Sequence, residues 1–173
     1  MLAKLKRLFK HRWLADGAAE RALPRDALER LAQKVIASET QHSGEIRIDV
    51  EGGLPLSYLW RDEPLQHIIR QRALTQFGKL RVWDTAQNNG VLIYLLLAEH
   101  AIEIIADRGL NEKVPTETWQ LLLDAMRNHF QRGEFETGLT QAVTAVSELL
   151  VRHFPLAVGD DNPNELPDTP TLR

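Results

Sequence analysis

Asp84, Asn88 and Asn89 stand close together in the stretch "DTAQNNG", directly ahead of the apolar run "VLIYLLL", and Asp107 follows the next apolar run, "AIEIIA". Carboxylate and amide oxygens are hard donors of the kind that Ca²⁺ and Mg²⁺ take alongside backbone carbonyls and water. If the chain folds Asp107 back beside the 84–90 stretch, then Asp84, Asn88, Asn89 and Asp107 form an oxygen-donor set with two negative charges, and the expected cofactor is Ca²⁺ or Mg²⁺. Arg81 and Arg108 flank the two clusters and would supply positive charge to an anion such as a phosphate oxygen. Metal-assisted hydrolysis would use the same corner, with the cation activating water. A plainer reading stands beside this one. Asn and Asp favour turns, Asn-Gly suits a positive φ, and Asp107 serves equally as a cap or as a partner for Arg108 or Arg81.

Other chemistries lack their residues. An EF-hand starting at Asp84 would need a ligand where Ala86 stands, glycine where Asn89 stands and an acid where Leu95 stands. The histidines, at 11, 42, 67, 100, 129 and 153, show no HExxH or other close zinc spacing, and each reads as a surface or helix-end residue. There is no GxxxxGK[ST], GxGxxG or GxSxG, and Asp84 has no second aspartate two residues on. The sequence therefore assigns no catalytic residue. With no cysteine, disulfides, thiolate metal sites and cysteine nucleophiles are excluded, which fits a cytoplasmic protein.

The elements that must position the corner follow from periodicity. Residues 24–41 read as a helix striped by Leu28, Leu31, Val35 and Ile36, and "EIRIDV" alternates as a strand. Leu65, Ile68, Ile69, Ala73 and Phe77 mark a further helix. Residues 91–97 are apolar on both sides of the pleat, as in a central strand covered on each face. Residues 101–106 follow too closely for a parallel crossover, so an antiparallel hairpin is expected. With its turn centred on Glu99 and His100, Asp107 would face Leu92 and Gly109 would face Gly90. Two amphipathic helices over 116–131 and 137–153 complete the core.

The ends differ from that core. Residues 1–14 read as a basic amphipathic helix, in which Lys4, Lys6, Arg7 and Lys10 accompany Phe9, Trp13 and three leucines. Such a helix would dock on an anionic membrane surface, at the inner face of a membrane, or on an acidic protein partner; alternatively it packs on its own domain. Residues 15–155 form the domain. Residues 156–173, acidic and proline-rich, read as a disordered tail unable to offset its ordering entropy by burial. The net charge of −3 gives no draw toward nucleic acid, and the longest apolar run is about half a membrane span of roughly 20 residues.

The stretch "ALTQFGKLRVWDTAQNNGVLIYLLLAEHAIEIIADRGLNEKVP" and the later "FQRGEFETGLTQAVTAVSELL" resemble the TPM-domain family, which takes in a thylakoid lumenal phosphatase, a photosystem II repair protein and a receptor modulator. The likeness covers about residues 25–153. It implies a three-layer α/β/α sandwich with a small mixed central sheet, and divalent-cation binding or phosphatase activity through residues matching Asp84, Asn88 and Asn89. Asn111 stands where members commonly have glutamate, and the export signal and anchor of better-known members are not seen. The chain is thus similar to a short, cytoplasmic-type member whose expected role is that of a cation-binding accessory domain, with a metal-assisted phosphatase as the alternative.

Overall fold

The computed structural model describes residues 7–11, 17–157, 159–160 and 162–173. Residues 7–11 are helical. The elements that follow are α1 (Ala18–Ala22), α2 (Arg25–Glu39), β1 (Ile46–Glu51), α3 (Leu56–Leu59), α4 (Leu65–Lys79), β2 (Val91–Leu96), a 3-10 turn (Leu97–Glu99), β3 (Ala101–Ala106), α5 (Arg108–Asn111), α6 (Thr116–Gln131), α7 (Phe135–His153) and β4 (Thr171–Leu172). Among the described residues no helix is long and apolar enough to cross a membrane.

The sheet has the order β3-β2-β1-β4. β1 runs parallel to β2 and to β4, while β2 and β3 are antiparallel. The doubly apolar run becomes the strand it implies: all six residues of β2 are buried, and they serve two cores. Val91, Ile93 and Leu95 meet Leu31, Val35, Phe130, Val143 and Leu150 from α2, α6 and α7. Leu92, Tyr94 and Leu96 meet Tyr58, Ile68 and Ala73 from α3 and α4. Period-two alternation in a strand covered on both faces thus produces the α/β/α layering.

Two expectations are corrected. The hairpin does not turn at Glu99-His100; Leu97 to His100 form a four-residue link with His100 left-handed at φ 50°, and Leu96 pairs with Ala101. Asp107 therefore sits opposite Gly90, to whose carbonyl its N–H donates at 2.9 Å, instead of opposite Leu92. The cause is that Leu97 and Ala98 are buried, and that Glu-His lacks the glycine or asparagine that a tight two-residue turn requires. Second, the described part of the tail is ordered: residues 171–172 add β4 to the open edge of β1, and Leu166 is buried. Composition predicts disorder because the segment carries little apolar surface, yet β1 offers it polar partners that composition does not reveal.

Candidate functional site

The corner forms where the 84–90 loop meets the start of α5. Close backbone approach explains its glycines. A Cβ on Gly90 would stand 2.0 Å from the Val82 carbonyl oxygen, and one on Gly109 would stand 2.5 Å from that of Asn88. With hydrogen in that space, Gly109 N–H donates to Asn88 O at 2.8 Å. The hairpin and this contact bring Asn88, Asn89 and Asp107 to one sheet edge.

Their side chains have different situations. Asn89 is fully buried; its Nδ2 donates to the Ser43 carbonyl at 3.1 Å and its N–H to Thr85 Oγ1 at 3.1 Å. Its Oδ1 is buried without a hydrogen-bond partner. Asp107 caps α5, with Oδ1 accepting from Arg108 N–H at 2.7 Å, while its Oδ2 is likewise buried and unpartnered. Asn88, left-handed at φ 52°, uses Oδ1 to accept from Arg108 Nε at 3.1 Å and Nη2 at 2.9 Å. Asp84 is exposed and ion-paired with Arg81, whose guanidinium also lies 5.9 Å from the Trp83 ring centre. Among the described residues no group of three or more His, Asp or Glu is arranged to hold a metal ion. The buried, unpartnered donors at the corner are thus one amide oxygen and one carboxylate oxygen; Asn88 Oδ1 is held by Arg108, and the exposed Asp84 is ion-paired with Arg81, with no contact to Asn89 or Asp107 seen among the described residues.

A carboxylate from far along the chain also reaches this loop. Glu165 accepts from Ala86 N–H at 3.2 and 3.0 Å through its two oxygens. Sequence reasoning missed it because a segment read as disordered contributes no partner; the lone Leu166 beside it, buried in the α3/α4 core, was the available signal.

The helical segment 7–11 packs on its own domain. The Arg7 guanidinium donates to the carbonyls of Leu59 and Arg61, and Lys10 Nζ lies 2.8 Å from Glu99 Oε2. His11, read from the sequence as a surface residue, is 1% exposed and bridges Leu54 N–H (3.0 Å) and Glu99 Oε1 (2.9 Å). Burial works against ionisation of Glu99, but the hydrogen bonds from His11 and Lys10 outweigh it and hold the carboxyl below its usual range. His42 is also fully buried, with Nδ1 3.0 Å from Gly44 O. Phe9 is exposed, and Lys4, Lys6 and Trp13 lie outside the described residues.

A second polar region lines β1. Glu51 accepts from Arg72 Nε at 2.8 Å and Nη2 at 2.6 Å and from Tyr94 OH at 2.6 Å, all within the α4-covered face. Glu45, Arg47 and Asp49, also on β1 or just before it, are buried as well.

Comparison with known proteins agrees with this architecture. The NMR structure of BA42 protein from the psychrophilic bacterium Bizionia argentinensis is similar, with a TM-score of 0.71 and 26% identity over 87% of this chain and 95% of that one. No curated protein matches the chain. The TPM domain matches residues 18–149, from α1 to near the end of α7 and so across both cores and the corner. The chain belongs to the TPM domain family.

Proposed function

We propose that this TPM domain binds a divalent cation, Ca²⁺ or Mg²⁺, at the corner between the 84–90 loop and α5, and acts as an accessory domain beside a membrane surface or an acidic partner. The supporting observation is the pair of buried, unpartnered oxygens, Asn89 Oδ1 and Asp107 Oδ2, on two stretches stitched together by hydrogen bonds. An unsatisfied buried acceptor costs roughly 1–3 kcal/mol, so two at one corner favour a positively charged ligand. Asp84 and Asn88 join the donor set when their arginines turn away, which both exposed guanidiniums are free to do. Phe9 of the helical segment is 69% exposed, and Leu56 and Trp60, in the stretch to which Arg7 bonds, are 52% and 62% exposed, an apolar display suited to an interface at the inner face of a membrane.

Thermal melting tests the cation. At about 100 times its dissociation constant an ion stabilises the fold by about 2.7 kcal/mol, roughly 5–11 °C for a domain of this size. Asp107→Asn, which keeps an acceptor for Arg108 N–H and removes the charge, abolishes most of the shift. No shift of the wild-type protein in millimolar Ca²⁺, Mg²⁺ or Mn²⁺ removes the reading. Arg81 and Arg108 at the same corner favour a second reading, a metal-assisted phosphatase in which the bound ion supplies an activated water and the guanidiniums bind phosphate oxygens. The same preparations assayed for phosphate release decide it: activity unchanged in folded Asp84→Ala and Asp107→Ala ends the phosphatase assignment.

A further inference from the structure

Around β1 the residues alternate between two kinds of burial. Ile46, Ile48 and Val50 enter the α2/α6/α7 core, whereas Glu45, Arg47 and Asp49 face the other way and are also buried, at 0%, 9% and 0% exposure. Buried charges persist only when paired and hydrogen-bonded. Here the partners come from residues 166–173. Leu166 N–H donates to Glu45 Oε2 at 3.1 Å. The Arg47 guanidinium donates to the carbonyls of Pro167 and Thr169 and, at 2.6 Å, to Thr171 Oγ1. Arg173 Nε donates to Asp49 Oδ1 at 3.1 Å. The strand pairing itself is short: Asp49 with Thr171, Val50 with Leu172, closed by Arg173 N–H to Val50 O at 2.9 Å and Gly52 N–H to Arg173 O at 2.8 Å.

Hydrogen bonds to charged side chains dominate this attachment. Among the described residues of 162–173 only Leu166 and Pro170 are buried, with Leu172 half-buried against the main core, so only a few apolar side chains help to hold the segment down. Pro163, Pro167 and Pro170 deny it a helix of its own. Lifting it uncovers Glu45, Arg47 and Asp49, which water solvates, together with the apolar seats of Leu166 and Leu172. The fit is also incomplete. Glu45 Oε1 is buried without a hydrogen-bond partner while the segment is in place, and the fully buried Gln76 amide lies beside Asp49 without a well-formed bond to its Oδ2.

We propose that the edge of β1 is a strand-addition groove for an extended segment of a partner protein, and that residues 162–173 are its displaceable internal occupant. Such a partner lies parallel to β1, sets a hydroxyl side chain on Arg47 and, two residues further on, a guanidinium on Asp49, as Thr171 and Arg173 do here. A segment in the same chain competes at an effective concentration near millimolar. A partner outcompetes it by also satisfying Glu45 Oε1 and by completing the hydrogen bonding around Asp49 Oδ2. The corresponding segment of a second copy makes the same contacts as the resident one and has no such margin.

Fluorescence anisotropy with labelled peptides tests the groove on the full chain. One peptide has the sequence of residues 162–173, and a second has Glu in place of the final Arg. Arg173→Glu, at a side chain 37% exposed, weakens the internal occupant without touching the core. The Arg173→Glu protein is expected to bind the Arg peptide at least tenfold tighter than the wild-type protein does, and at least tenfold tighter than it binds the Glu peptide. Absence of binding, or equal affinity for both peptides, overturns the proposal. Hydrogen exchange on the wild-type protein gives an independent reading: the Gly52 and Arg173 amides exchange at least tenfold faster than amides of the β1–β2 ladder, and equal protection overturns a displaceable segment. A wild-type dimer in light scattering that dissociates on Arg173→Glu overturns the partner in favour of a second copy.

Discussion

Glu39 makes stability fall with rising pH, and Glu39→Gln isolates its share. The residue ends α2, is 5% exposed, and accepts the Ile46 N–H through Oε1 at 2.9 Å at the entrance to β1. Burial pushes its pKa up from 4.5 to about 9; the Ile46 N–H opposes the rise, and the carboxylates of Glu45 and Asp168 add to it. The folded protein therefore keeps a proton that the unfolded chain releases above about pH 4.5. The stabilisation is complete below that value and is lost as pH rises toward about 9. Between pH 6 and 8 one retained proton is worth about 1.4 kcal/mol per pH unit, roughly 2.7 kcal/mol in all, or about 5–11 °C in Tm for a domain of this size. Burial raises Glu45, Asp49 and Glu103 as well, in the same sense, and lowers His42, which acts oppositely near pH 6.5. Comparison with Glu39→Gln cancels those contributions, because glutamine retains the acceptor for Ile46 N–H and has nothing to titrate. Far-UV circular dichroism melts at pH 6, 7 and 8 and constant ionic strength provide the measurement. Parallel Tm-against-pH lines for the two proteins would refute a neutral Glu39.

Arg72→Met strands the Glu51 carboxylate, whose side chain is 6% exposed and which keeps only the Tyr94 hydroxyl. Breaking a buried pair from one side costs about 3–5 kcal/mol, and adding Glu51→Gln recovers part of it; a loss below about 1 kcal/mol in denaturant melts contradicts the pairing. For the interfacial face, Phe9→Ser with Trp60→Ser in the full chain reduces sedimentation with anionic vesicles severalfold at low salt, and unchanged binding removes the membrane role.

Much of the architecture was legible along the chain. Six consecutive apolar residues in β2, the charged-apolar alternation of β1 and the stripes of α2, α6 and α7 are local patterns whose period matches the element they form. The "NNG" and "RGL" stretches likewise pointed to one corner, since a short hairpin must return its strand to where it began. Which oxygens remain free there was not legible. The exposed guanidiniums of Arg81 and Arg108 take those of Asp84 and Asn88, while packing buries those of Asn89 and Asp107.

The sequence by itself determined the layers, because hydrophobic periodicity acts between near neighbours and dictates which face of each element leaves water. Only the tertiary structure decided the partners of the buried charges. Glu45, Arg47 and Asp49 find hydrogen-bond partners more than a hundred residues away, in a segment with few buried apolar side chains. Hydrogen-bond partners chosen across such a distance leave no periodic trace in the chain, since pairing depends on where the backbone delivers each group.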